Sequence, residues 1–233
     1  MALTLKNLVT IFAAPTEVFE ELKQKPKWAV AFLTISLFTI VIALLSLPLS
    51  RQIMLQAVSR GGAVEGAQLE QAQRFQYVGS ILIPLTLLFK WLVSAALLYF
   101  MTILVGSGQI RFKEVYAAVV FAEMILLLMA VVNLLLLYAK GTDSIRHITD
   151  LQAIIGMDFL MPDRTSNLPL FTLLNNINIF NIWYIAVLSI GISVMSGFSR
   201  VKSALLVTTV WLLGVGLQVA LAALTAAMQR PQL

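Results

Sequence analysis

An all-α integral membrane protein is the fold class that the sequence predicts, with five transmembrane helices, N-terminal interfacial helices and an extramembrane helical hairpin. Three observations predict it. Of the 233 residues, 60% are hydrophobic and 12% charged, against roughly 45–50% and 25% in soluble globular domains. Five apolar runs reach the roughly 20 residues that about 30 Å of hydrocarbon requires at about 1.5 Å of rise each. The charges fall in the stretches between those runs, with Lys90 and Glu123 as the exceptions.

The elements follow in chain order. Residues 1–27 read as a cytoplasmic segment of interfacial helices ahead of a five-span membrane domain, 28–233. Leu5, Leu8, Val9 and Phe12 fall on one helical face, as in a short helix lying in the membrane interface. Pro15 can open a second helix. Its acids Glu17, Glu20 and Glu21 come early and its bases Lys23, Lys25 and Lys27 late, as the helix dipole prefers. Pro26 and Trp28 mark the membrane entrance.

The spans are expected over 28–49, 77–105, 115–138, 180–198 and 203–228. The second is long enough to tilt or protrude, with a kink at Pro84. Between the first two, residues 50–76 read as helical on both sides of Gly61-Gly62, a hairpin outside the membrane. In the loop 139–176, Ile145, Ile148, Leu151 and Ile155 keep helical spacing, and a run LPLFTLL follows from Leu168. Both pieces read as lying on the membrane surface or against the spans.

Net charge is +5 and the pI about 9.6. The basic residues are spread over nearly every loop without an aromatic-interleaved patch, so the expected partner is the lipid bilayer and not nucleic acid. Lys6, Lys23, Lys25, Lys27, Arg111, Lys113, Arg200 and Lys202 fall on the N-terminal side, in about 40 residues; Arg51, Arg60, Arg74, Lys140, Arg146, Arg164 and Arg230 fall opposite, in about 70. That density difference places the N-terminus in the cytoplasm and the C-terminus outside. No basic n-region and cleavage site opens the chain, so the N-terminus reads as retained. With no cysteine, disulfide and thiolate chemistry are closed.

Lys90 and Glu123 each cost roughly 2.5–3.5 kcal/mol at a helix centre and are the natural candidates for function. Counted from the connecting turn, their depths differ by about 10 Å, which a lysine stem bridges only in part. A buried pair is therefore open, and so is a polar site. Thr86, Lys90 and Ser94 at i, i+4, i+8 give the second span one polar stripe.

Other features weigh less. Asp143 and Asp150 would flank His147 on a helix, but a solvated surface helix explains them better than a catalytic or metal role. Ser189, Ser193 and Gly197, then Gly216 and Ala220, read as close-packing positions within the molecule in preference to a dimer interface. Asn175, Asn176, Asn178 and Asn181 can cap or break a helix at the membrane surface. No phosphate loop, nucleophile elbow, dinucleotide fingerprint or zinc motif occurs. No enzyme, catalytic residue, metal or cofactor is expected.

The order of several motifs resembles the Ypt- and Rab-interacting protein family, or YIP family, of five-span membrane proteins. The matching pieces are 11–22, IFAAPTEVFEEL, with Pro15 and Phe19; Gly106 and Gly108 with Phe112-Lys113-Glu114; and 178–183, NIFNIW, with Phe180 and Trp183. Gly191 and the basic turn Arg200–Lys202 complete the set. The resemblance implies five spans and a cytosolic N-terminus, and its eukaryotic members act on membrane traffic and contact small GTPases. In this chain only the short segment 1–27 stands before the first span, in place of a long cytosolic region, and it lacks a proline the family often carries where Glu123 and Met124 stand. It looks like a short prokaryotic member of the cytoplasmic membrane, which leaves contact with a GTPase doubtful.

Two functions stay open. One is a non-enzymatic scaffold or accessory subunit, touching other membrane proteins or a second copy of itself. The other is a transporter, channel or lipid-handling protein using Lys90 and Glu123. An intramembrane hydrolase would need a buried Asp or His, and no span carries one.

Overall fold

A computed structural model describes residues 2–59, 66–106, 110–141, 147–153 and 155–228. The helices are α1 (Ala2–Thr10), α2 (Pro15–Gln24), α3 (Ala29–Ser59), α4 (Gly66–Ile81), α5 (Ile83–Leu104), α6 (Phe112–Lys140), α7 (Leu168–Asn176), α8 (Ile179–Ser196) and α9 (Arg200–Met228). No strand occurs among the described residues. Five helices are long and apolar enough to cross a bilayer: α3 over Ala29–Arg51, then α5, α6, α8 and α9. The protein is a multi-pass integral membrane protein of all-α architecture.

α6 is the axis of the bundle. Every residue from Val115 to Glu123 is buried, and the helix packs against α8, α5, α3 and α2. A side chain buried on every face of a helix requires neighbours all round, which explains why this run is hydrophobic without an amphipathic period. α3, α5 and α9 stand at the rim and keep large exposed apolar side chains, among them Leu37, Phe89 and Leu213, as lipid-facing helices do.

The second span departs from expectation. α4 ends at Ile81 and α5 begins at Ile83 with Pro84 in its first turn. Proline lacks an N–H and suits a helix start, so the expected kink is a break at Leu82. The hairpin is an extension of the spans: α3 runs on to Ser59, and α4 leads into α5. Its expected turn, Gly61-Gly62, lies outside the described residues. Within α3 stands Pro48, which lacks a backbone donor; in the turn before it the Tyr138 hydroxyl donates to the Leu45 carbonyl at 2.6 Å, tying α6 to this part of α3.

The N-terminal helices are docked and not merely interfacial. Leu8 and Ile11 are buried in the main core, whereas Val9 is 72% exposed, so the face that packs is not the expected Leu5, Leu8, Val9, Phe12 set. α2 buries Val18, Phe19 and Leu22 against α8 and α6. Three basic side chains fasten this end of the bundle at helix C-termini. Lys23 Nζ donates to the Val194 carbonyl at 2.7 Å, Lys202 Nζ to that of Val105 at 3.1 Å, and Arg111 reaches that of Lys23 at 3.5 Å. Cations there satisfy carbonyls that the helix leaves open.

Over the described residues of 145–155 the helical spacing does not give an α-helix. Residues 142–146 lie outside the described part, and short 3-10 turns span Ile148–Leu151 and Met157–Leu160. Asn133 on α6 explains the capture of this loop. Its amide donates to the Leu151 carbonyl at 3.2 Å and accepts from the Ala153 N–H at 2.6 Å, pairing backbone that a helix would have paired with itself.

Candidate functional site

Lys90 on α5 and Glu123 on α6 form an ion pair, with Lys90 Nζ 3.0 Å from Oε1 and 3.1 Å from Oε2. Their depths follow from the helix ends that face the connecting turn, Leu104 on α5 and Phe112 on α6. Counted from those ends, the axial offset is about 4.5 Å, short enough for a lysine stem. The larger mismatch expected from the sequence rests on a third span that starts at Val115. α6 instead begins at Phe112, capped by the Glu114 carboxylate on the Arg111 N–H at 3.0 Å. The two ends of the pair differ: the Glu123 side chain is 6% exposed and that of Lys90 52%.

The pair borders a cavity of about 370 Å³ walled by α5, α6, α8 and α9 and covered at one end by α7 and Gln152. Ligand sites fall at roughly 300–1,000 Å³ with a few convergent polar groups in an apolar wall. Among the lining residues Lys90 and Glu123 are the only charges, joined by Ser94, Tyr184, Asn181 and Gln218. Thr86 stands apart: it is exposed, its hydroxyl donates to the Ile83 carbonyl, and it does not line the cavity. One turn of α5 separates it from Lys90, but the break at Leu82 leaves it in the first turn of the helix, beyond the cavity.

The residues of α5 and α9 that line the cavity differ in exposure along it, with Val215 buried between exposed Gly214 and Gln218. On α5, Lys90 is exposed, Ser94 half-buried and Leu98 buried; on α9, Gln218 and Gly214 are exposed, Trp211 half-buried and Val207 buried. The two helices meet at the closed end, where Lys202 reaches Val105, and Leu98, Leu188 and Val207 seal the floor. A Cβ built on Gly214 would meet nothing within 4 Å. Along α9 the cavity runs from Gln218 to Val207, about 16 Å.

The asparagines form its upper collar. Asn178 caps α8, its Oδ1 accepting from the Asn181 N–H at 2.9 Å; Asn181 donates to the Asn176 carbonyl at 2.8 Å. Asn176 in turn donates to Gln218 Oε1 at 3.3 Å, linking the collar to α9. Behind it, Gly156 packs so closely that a Cβ would stand 2.8 Å from the Asn175 carbonyl oxygen. Buried Asp158 pairs with Arg164 at 2.7 Å, and the Arg164 guanidinium lies 4.7 Å over the Phe171 ring. The collar therefore sits on a fastened loop. Gln218, Tyr184 and Gln152 escaped the sequence reading. An uncharged Gln inside the fifth apolar run was the one signal of its kind.

The remaining sequence candidates have structural places. Pro15 opens α2. The tip of the Phe19 ring points at Gly191, where a Cβ would be 2.9 Å from Cζ. Trp183 meets Phe12 edge-on at 5.8 Å, and Phe180 is half-buried. Gly106 has φ of +107°, a conformation that favours glycine; Gly108 lies outside the described residues. Ser189 is buried, Ser193 donates to the Phe198 carbonyl, and Gly197 is the left-handed cap of α8. Gly216 and Ala220, expected to pack within the molecule, are exposed. His147 is extended, its N–H donating to Asp150 Oδ2 at 2.9 Å, so the expected helical face of Asp143, His147 and Asp150 does not exist over the described part. Among the described residues no three His, Cys, Asp or Glu side chains gather as a metal site.

The model of the Yip1 domain matches residues 9–221. The chain belongs to the Yip1 domain family. No curated protein and no solved structure matches it. The Yip1 domain match takes in α2 and the three motif stretches, together with the cavity's walls on α5, α6, α8 and α9. In this Yip1 domain protein the motif positions build the packing around the site, while Lys90 and Glu123 supply its charge.

Proposed function

We propose that this Yip1 domain protein is non-enzymatic and holds a small polar or amphipathic ligand in the cavity at the Lys90–Glu123 pair, as a transport or lipid-handling protein does. The observation that carries this is the cavity itself, a polar-lined space of about 370 Å³ beside an ion pair inside the spans. A pair serving only to join two helices would be better packed over than left beside open volume. The sealed floor at Leu98, Leu188 and Val207 favours binding, followed by a conformational change, over an open channel.

The test is flux in proteoliposomes. Lipid exchange between leaflets, or solute release, should occur with the wild-type protein and be lost in Lys90→Met at unchanged elution and helicity. A second reading, a scaffold or accessory subunit, is favoured by the exposed Gly216 and Ala220 between Leu213 and Leu221 on α9, where a further helix could approach. No flux but a membrane partner that copurifies through this face would decide for the scaffold.

The same proposal sets the protein in a prokaryotic cytoplasmic membrane with the N-terminus in the cytoplasm. Exposed Lys25, Lys27, Lys113 and Arg200 crowd the face that carries α2, the pattern of a cytoplasmic surface. Since the chain has no cysteine, Lys25→Cys and Asp163→Cys single reporters decide it: an impermeant maleimide should label only the second in intact cells.

A further inference from the structure

Resting on the reading of the cavity as a ligand site, we propose that a phospholipid enters it sideways from the bilayer between α5 and α9. The Lys90–Glu123 pair then holds a zwitterionic headgroup, phosphate on Lys90 Nζ and ammonium on Glu123. The route follows from the exposed lining residues of α5 and α9 at the end of the cavity away from Leu98 and Val207. At one end the two helices are joined through Lys202 and Val105; towards the other, Lys90, Gly214 and Gln218 are all exposed along the same cavity. Lining residues that are exposed on both helices mark the side on which the cavity opens to the lipid. The space beside Gly214 lies on that side.

The headgroup follows from charge. The lining's one cation and one anion neutralise each other, so an anionic headgroup taken up by Lys90 would draw the cation away from Glu123 with nothing to replace it, and a neutral one would offer neither charge a stronger partner. A zwitterion answers both. Lys90 Nζ has three donors, of which Glu123 occupies those directed at its two oxygens. At least one points elsewhere and can meet a phosphate oxygen. The collar oxygens near Gln218 add acceptors for an ammonium. Acyl chains would leave through this opening along the exposed apolar surface of Phe89, Leu213 and Leu217.

The experiment exposes the full-length protein to vesicles of equal phosphatidylethanolamine and phosphatidylglycerol, extracts it in mild detergent and counts retained lipids by native mass spectrometry. The wild type should retain one phosphatidylethanolamine in preference by about tenfold, the ratio given by one charge-assisted hydrogen bond. Glu123→Gln should lose the preference, and Gly214→Trp, which fills the open space beside Gly214, should lose retention at unchanged helicity. Gln218→Trp serves as a second block if Gly214→Trp misfolds. No retained lipid, equal retention, preference for phosphatidylglycerol, or undiminished retention in a folded block variant overturns the proposal. If soluble glycerophosphoethanolamine displaces the lipid at similar concentration, entry from the bilayer is refuted while the cavity stands as a ligand site.

Discussion

The two ends of the Lys90–Glu123 pair should not be equivalent. Removing the lysine, as in Lys90→Met, leaves a carboxylate that is 6% exposed without its cation. Breaking a buried pair in this way costs about 3–5 kcal/mol. The lower end, about 3 kcal/mol, is appropriate because Glu123 borders the cavity, where the stranded carboxylate can find polar partners or water. Removing the acid, as in Glu123→Gln, leaves a lysine whose side chain is 52% exposed and whose ammonium is free to turn into the cavity, so the cost should be about 1 kcal/mol. In the double variant no stranded carboxylate remains, and its loss should fall well below the sum, giving a coupling of about 2 kcal/mol. Reversible unfolding in mixed micelles, followed by helicity against the mole fraction of dodecyl sulfate, measures all three. Equal single costs, or additivity in the double variant, would refute the reasoning. The charge exchange Lys90→Glu with Glu123→Lys should recover only part of the expression lost in either single variant, because it puts the longer lysine side chain at the buried position.

Gly191→Ala should destabilise the protein by about 1–2 kcal/mol, since the added Cβ collides with a Phe19 ring that is fully buried and overpacking outweighs alanine's helix preference. In a Phe19→Leu background, which removes the atoms in the way, the same change should be stabilising by about 0.5–1 kcal/mol; thermal unfolding of the four proteins gives the sign. Gly156→Ala meets only backbone carbonyl oxygens and should cost about 2 kcal/mol. It should also increase proteolytic cleavage of the 147–167 loop, and an unchanged cleavage pattern would count against it. The Asp163 carboxyl is held below the ordinary carboxylate range by the Thr165 hydroxyl and then the Thr165 N–H. A depressed value in the folded state means that the turn's added stability is present above the unfolded value, about 3.9, and is lost as pH falls through the folded one. Protection of the Thr165 amide, measured against its intrinsic exchange rate at each pH, should therefore fall on acidification below that range, and Asp163→Asn should remove the dependence.

Span existence and class were legible because lipid admits few solutions. A helix pairs its own backbone, so a run of about 20 apolar residues is a sufficient signal regardless of what it packs against. The loop 147–160 was not legible. Its apolar spacing matched a helix, yet Asn133, distant in sequence, takes the Leu151 and Ala153 backbone groups instead. The α1 face failed for a related reason. Amphipathicity identifies a helix that has an apolar side, but Val9 is exposed and Ile11 buried because packing on α3 chose the rotation.

Of the site, its two charged members could be named from cost alone: an ionisable residue inside an apolar run is expensive wherever it sits. Ser94 belonged to their stripe, but Thr86 shared the period and not the cavity. A period places a residue on a face; it does not say how far along the helix the neighbours extend. Gln218 and Tyr184 became visible only through three-dimensional proximity.

By itself the sequence determined the class of solvent, the number of crossings, the family and the intramembrane charges, because each depends on local composition or on motif order. Tertiary structure alone decided that Lys90 reaches Glu123 and that a cavity walled by α5, α6, α8 and α9 adjoins them. Those facts depend on helix start points and tilts, set by contacts between residues far apart in the chain. Moving the start of α6 from Val115 to Phe112 changes a depth by about 4.5 Å, the difference between a stranded charge and a pair.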